Sequence, residues 1–157
     1  MPELSLRPLM PGDDATAYEL LTASFEGTRY LARLQEQLDA AFRFEDPEYL
    51  AVLAERDDVV VALGLFGAVA GARQCTKLHV LAGADDEALA SLASAVVAVC
   101  ADAGERLIVA EVPDDAVFAA GVQALDAAGF REEGRVADYV TDGIALSLIV
   151  WRPGTNA

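Results

Sequence analysis

Three side chains in this sequence could move protons. Glu111 is the only charged residue in the apolar run Leu107 to Val112. A carboxylate among apolar neighbours has a raised pKa and can serve as a general base. His79 is the single histidine of the chain, and imidazole gains or loses its proton close to neutral pH. Tyr139 offers a phenol, which can protonate a departing thiolate. Each also has a plain structural alternative. Glu111 can reach solvent or pair with an arginine, His79 can be a satisfied strand residue, and Tyr139 can be a core aromatic. A fourth feature is the acidic run Asp85-Asp86-Glu87 at the start of a helical segment. Carboxylates there complement the helix dipole by about 0.3–1 kcal/mol each. Cys75 and Cys100 have no metal-ligand spacing and sit in apolar surroundings, so they read as reduced, buried thiols with no metal site.

The elements that must position these groups alternate along the chain. Leu4 to Leu9 reads as a strand, and Pro11-Gly12-Asp13-Asp14 as a turn whose acids cap a helix carrying Tyr18, Leu21 and Phe25. A second helix has Leu31, Leu34, Leu38 and Phe42 on one stripe. Strands at Tyr49 to Ala54 and Val59 to Val69 flank a charged turn, and Cys75 to Leu81 is a further strand. Asp85 to Ala103 is helical, with Gly104 as its cap. Leu107 to Val112 suits a strand buried on both faces. Pro113-Asp114-Asp115 then leads into a helix with Val117, Phe118, Val122 and Leu125, closed by Gly129. Strands at about Glu133 to Val140 and Ile144 to Trp151 end the chain. The order β-α-α-β-β-β-α-β-α-β-β predicts one α/β domain over residues 1–157, with a mixed sheet and helices on both faces.

The 157 residues carry 26 Asp and Glu against 11 Lys and Arg, a formal net charge of -15. Nucleic acid and anionic membrane surfaces are poor partners for such a chain. The longest uncharged stretches, Val59 to Ala72 and Ala88 to Ala101, fall short of the ~20 residues of a spanning helix. Glu3 and Arg7 stand where an export signal would be apolar, so a cytoplasmic protein is expected.

The element order and several short motifs resemble the GNAT superfamily of N-acetyltransferases. The motifs are Arg7-Pro8-Leu9 before a helix, Leu125-Asp126-Ala127-Ala128-Gly129-Phe130, Gly134 to Tyr139, and Asp142-Gly143 before the last strand. The resemblance implies a mostly antiparallel sheet of about seven strands that splays between its fourth and fifth, here Cys75 to Leu81 and Leu107 to Val112. It implies acetyl-CoA as acyl donor, its pantetheine arm lying in the splay like an added strand. Backbone amides of Val80 and Leu81 would contact the thioester carbonyl. The pyrophosphate would sit on the next helix's N-terminus, at Asp85, Asp86, Glu87, Ala88, Leu89 and Ala90.

This sequence departs from the family there. Ala90 fits the pattern, Ala88 replaces a glycine, and Asp85 stands where the family has a basic or amide side chain, with Asp86 and Glu87 adding charge. Arg73, Lys77 and Arg106 are the cations that could compensate. Leu125 stands where many members have a tyrosine proton donor, leaving Tyr139 as the donor to test and Glu111 or His79 as the base. The reading that follows is an acyl-CoA-dependent N-acyltransferase. Its acceptor would be a small cationic amine or a lysine side chain, free or in a peptide, steered by the negative charge. The alternative is a GNAT fold without turnover, serving as a binding or homodimerisation module.

Overall fold

A computed structural model describes residues 4–154; Glu3, used above against an export signal, lies outside them. The strands are β1 (Ser5–Pro8), β2 (Leu50–Arg56), β3 (Val59–Ala68), β4 (Cys75–Gly83), β5 (Leu107–Pro113), β6 (Arg131–Thr141) and β7 (Ile144–Trp151). They pair in the order β1-β2-β3-β4-β5-β7-β6. Every contact is antiparallel except β4 with β5, which run parallel and are joined through a helix. The helices are α1 (Asp14–Phe25), α2 (Leu31–Arg43), α3 (Asp86–Asp102) and α4 (Ala119–Ala127).

The helices α1, α2 and α3 bury most of the stripe their periodicity foretells, whereas of the residues expected for the last helix only Leu125 is buried. Ala17, Leu21 and Phe25 of α1 and Leu34, Leu38 and Ala41 of α2 pack with Leu53, Leu63, Leu65, Val80 and Ala82 on one face of the sheet. Leu89, Leu92, Val96 and Cys100 of α3 join Leu125, Phe130, Ile108 and Ala110 on the other. Burying a leucine of this kind contributes roughly 1.5–3 kcal/mol, so the two layers fix which side of each strand faces which helix pair. Among the described residues no helix is long and apolar enough to cross a membrane.

Gly104 and Gly129 end their helices in the left-handed region, at φ 78° and 101°. In each case the next residue's amide returns to a carbonyl five positions back, Glu105 to Cys100 at 2.9 Å and Phe130 to Leu125 at 3.0 Å. These are the bonds of a Schellman cap.

Three expectations need correction. Asp13 does not cap α1 with its side chain. Its carboxylate instead receives the Arg7 guanidinium at 2.8 Å and the Met10 amide at 2.7 Å, because β1 brings Arg7 alongside. The helix predicted from Pro113 onward divides into a 3-10 turn at Ala116–Phe118 followed by α4. Finally, β5 is not buried on both faces. Ile108 and Ala110 are buried under α3 and α4, whereas Leu107, Val109 and Val112 are half-buried and Glu111 is exposed. The physical reason is that α1 and α2 pack chiefly against β2, β3 and β4, leaving the second face of β5 as a wall of open space.

Candidate functional site

The parallel ladder between β4 and β5 is short. It runs from Cys75 opposite Leu107 to Leu78 opposite Ala110 and stops there. Beyond that point β4 stays paired to β3 through Gly83, and β5 stays paired to β7 through Pro113. The two strands therefore part like a V, each held from its outer side. A bulge marks the parting. Leu65 opposes Val80 while the next residue of β3, Phe66, opposes Leu78, so His79 is the extra residue of β4. A bulge bends its strand and re-aims side chains, which here turns β4 away from β5.

The gap holds a cleft of about 230 Å³. It is lined by Leu78, Val80 and Leu81 of β4, Ala110 and Val112 of β5, and Leu125 of α4. The cleft reaches Asp85 and Asp86 at the start of α3. A second cavity of about 340 Å³ opens beside it, walled by Arg29 and Tyr30 just before α2, by Arg33 and Gln37 of α2 and by Lys77 of β4. The two share Leu78, His79, Glu111 and Phe118. Phe118 packs in an aromatic cluster at this shared wall. Its ring lies 5.3 Å from that of Phe25 and 4.8 Å from that of Tyr30. The Tyr30 hydroxyl donates to the Asp115 carboxylate at 2.9 Å. Burial and that carboxylate push the phenol up to about 12, so Tyr30 stays protonated and anchors the wall.

His79 and Glu111 thus come together where the cavities meet. Nε2 of His79 stands 2.7 Å from the Glu48 carbonyl oxygen. A carbonyl can only accept, so the neutral ring carries its hydrogen on Nε2 and leaves Nδ1 as a proton acceptor. Gly67 makes this contact possible: a Cβ on it would stand 2.2 Å from the same Glu48 oxygen. Burial holds the imidazole below its usual range, and the charges of Lys77 and Arg33 act in the same direction. Glu111 is about half exposed and lies 3.4 Å from the Lys77 ammonium. It is a solvated, ion-paired carboxylate rather than one enclosed by apolar neighbours.

Tyr139 is placed apart. It is 64% exposed, on a stretch of β6 where residues 137–140 bulge out of the ladder between Val136 and Thr141, and it lines neither cavity. The acids at the start of α3 behave as caps in part. Asp85 accepts from the Ala88 amide at 2.7 Å, while Asp86 and Glu87 are exposed; Ala88 is buried and Ala90 exposed. Sequence reasoning missed Arg56. Its guanidinium lies 3.5 Å from the second Asp85 oxygen and is only 19% exposed. Nothing in the local sequence flags it, since it sits at the β2–β3 hairpin, 29 residues before Asp85. Arg29, Arg33 and Gln37 were missed for a similar reason, as ordinary polar positions of an amphipathic helix and its lead-in. Among the described residues no cluster of His, Cys, Asp or Glu could hold a metal ion.

The sequence matches no family model and no curated protein. Solved structures do match the fold. A GNAT-family protein from Desulfovibrio desulfuricans superposes with a TM-score of 0.77 at 21% identity, over 96% of this chain and 99% of that one. The ribosomal-protein-S18-alanine N-acetyltransferase from Escherichia coli gives 0.69 at 14% identity, over 96% and 94% of the two chains. The protein yncA from Salmonella typhimurium, solved with its cofactor acetyl-CoA, gives 0.69 at 14%, over 95% and 93%. A seven-stranded sheet in this order, parted between its fourth and fifth strands, is the fold of the GNAT N-acetyltransferases, and this chain has it.

Proposed function

We propose that this chain transfers an acyl group, acetyl in the simplest case, from coenzyme A to a primary amine. The observation that carries the reading is the parting of β4 from β5 beyond Leu78 and Ala110. It leaves an unpaired strand edge facing an apolar slot, a setting in which an extended, amide-bearing chain can add as a further strand. The pantetheine arm of coenzyme A has that character, so this part of the site fits it. When bound, the thioester supplies an activated acyl group. Val80 and Leu81 line the slot, and a backbone amide of this segment that β3 leaves unpaired holds the carbonyl oxygen of the thioester. His79, at the junction of the two cavities, takes the amine's proton on Nδ1. Glu111 and Lys77 line the entry of the amine from the second cavity.

The far end fits less well. Asp85 already takes the Ala88 amide, the seat a diphosphate would use, and Arg56 offers the compensating charge. That occupied amide supports a second reading, a fold retained without turnover as a binding or dimerisation module.

Calorimetry and thermal denaturation with acetyl-CoA separate the two. A ligand at a hundred times its Kd stabilises by about 2.7 kcal/mol, which raises Tm on the order of 5–10 °C for a domain of this size. We expect that rise, together with release of free coenzyme A when an accepted amine is added. No change in Tm at millimolar acetyl-CoA, in low and moderate salt, leaves only the second reading.

A further inference from the structure

We infer that the amine acceptor also carries a carboxylate, as an amino acid or short peptide does, and that Arg29 and Arg33 receive it. The inference rests on the transfer reading above and assigns the second cavity to the acceptor. Only 11 of the 157 residues are Lys or Arg against 26 acids, yet three of those cations line this one cavity and Glu111 is its sole carboxylate. Glu111 is already matched by Lys77 at 3.4 Å. Arg33 meets Glu36 through one nitrogen at 3.2 Å on the exposed side of α2, which leaves other donors of its planar fork open. Arg29 makes no ion pair among the described residues. The cations of the cavity wall therefore outnumber its carboxylate; burial is the main cause of the depressed basicity of His79, with Lys77 and Arg33 adding to it and Glu48 opposing.

A polyamine or aminoglycoside would meet like charges in this cavity. An amino acid zwitterion is neutral overall, so the chain's charge of -15 does not repel it at long range, while its carboxylate finds the arginines. Gln37 adds a complementary feature. Its side-chain oxygen is buried at the cavity wall without a hydrogen-bond partner and can accept from the acceptor's N–H. The volume, about 340 Å³, lies within the range of small-ligand pockets.

The test uses the proteinogenic L-amino acids, each beside its carboxamide, with spermidine and kanamycin as cationic comparators. Binding to the full chain is read by calorimetry without any acyl donor, and turnover by release of free coenzyme A from acetyl-CoA. The expected result is at least one amino acid that binds, and is turned over, tenfold or more better than its carboxamide. Amine ionisation cannot create that preference, because the carboxamide's amine is the less basic and the more available as nucleophile. The double substitution Arg29→Gln, Arg33→Gln should abolish the preference while circular dichroism and Tm stay close to those of the parent. Amino-acid binding that depends on these arginines, without turnover, supports the carboxylate subsite and overturns its assignment to an acyl acceptor. Turnover of cationic amines or carboxamides as fast as amino acids overturns the inference and leaves acyl transfer standing. Failure of every amino acid to bind overturns the inference as well.

Discussion

The Asp85 carboxylate holds the Ala88 amide at 2.7 Å with one oxygen and lies 3.5 Å from the Arg56 guanidinium with the other. One side chain thereby joins the start of α3 to the end of β2, at the mouth of the cleft between β4 and β5. Helix capping and anion binding compete for the same amide, and the arginine can serve either the carboxylate or an incoming phosphate.

Replacing Asp85 with serine keeps a capping oxygen and removes a negative charge. Stability should change by less than ~1 kcal/mol, since serine caps about as well as aspartate. Affinity for acetyl-CoA should rise roughly three- to thirtyfold in low salt, and the gain should shrink as salt screens it. Arg56→Gln should weaken binding by a similar factor. Calorimetry at two salt concentrations checks both, and unchanged affinities would place the diphosphate elsewhere.

His79 should give the protein a stability limb on the acid side. Its folded pKa lies below the usual 6.5, mainly through burial, so the unfolded chain binds the proton first as pH falls. The contribution is intact above 6.5 and is lost as pH drops from there through the folded value. Urea midpoints between pH 5 and 8 should show this limb in the parent and a flatter profile in His79→Gln. The same substitution should lower kcat by about a hundredfold or more, the contribution usual for a positioned base.

Glu111 should matter less. Its pair with Lys77 is partly exposed on both sides, and such pairs contribute less than ~1 kcal/mol. Glu111→Gln should leave Tm within about 2–4 °C and lower kcat by less than tenfold. If steady-state kinetics ranked the two variants the other way, Glu111 rather than His79 would be the base.

The β2–β3 turn holds Asp57 and Asp58 at φ 52° and 64°. Two left-handed residues are what a two-residue hairpin with a type I′ turn requires, and glycine is favoured at the second. Asp58→Gly should stabilise by roughly 0.5–1 kcal/mol through relief of that strain, raising Tm by about 1–4 °C. Acetyl-CoA binding should be unaffected.

The ends of α3 and α4 were legible because Gly104 and Gly129 act within a few residues of chain, through a left-handed φ and a carbonyl one turn back. The helix stripes and strand alternation were legible for the same reason, since the forces that write them are local in sequence. The capping role expected of Asp13 failed when β1 brought Arg7 beside it. Glu111 looked enclosed because its neighbours in sequence are apolar, yet the helices that would have enclosed it pack over other strands.

By itself, then, the sequence determined the element order, the two helical layers and an α/β sheet, and offered three candidate groups, of which His79 and Glu111 line its opening and Tyr139 does not. Tertiary structure alone decided that β4 leaves β5 after Leu78, that His79 is the bulged residue, and that Arg56 stands beside Asp85. It also decided that Arg29, Arg33 and Lys77 converge on one cavity in a strongly acidic chain. Each of those facts depends on residues tens of positions apart meeting through a shared sheet and helix layer. No periodicity or turn rule, which reads only neighbours along the chain, carries that information.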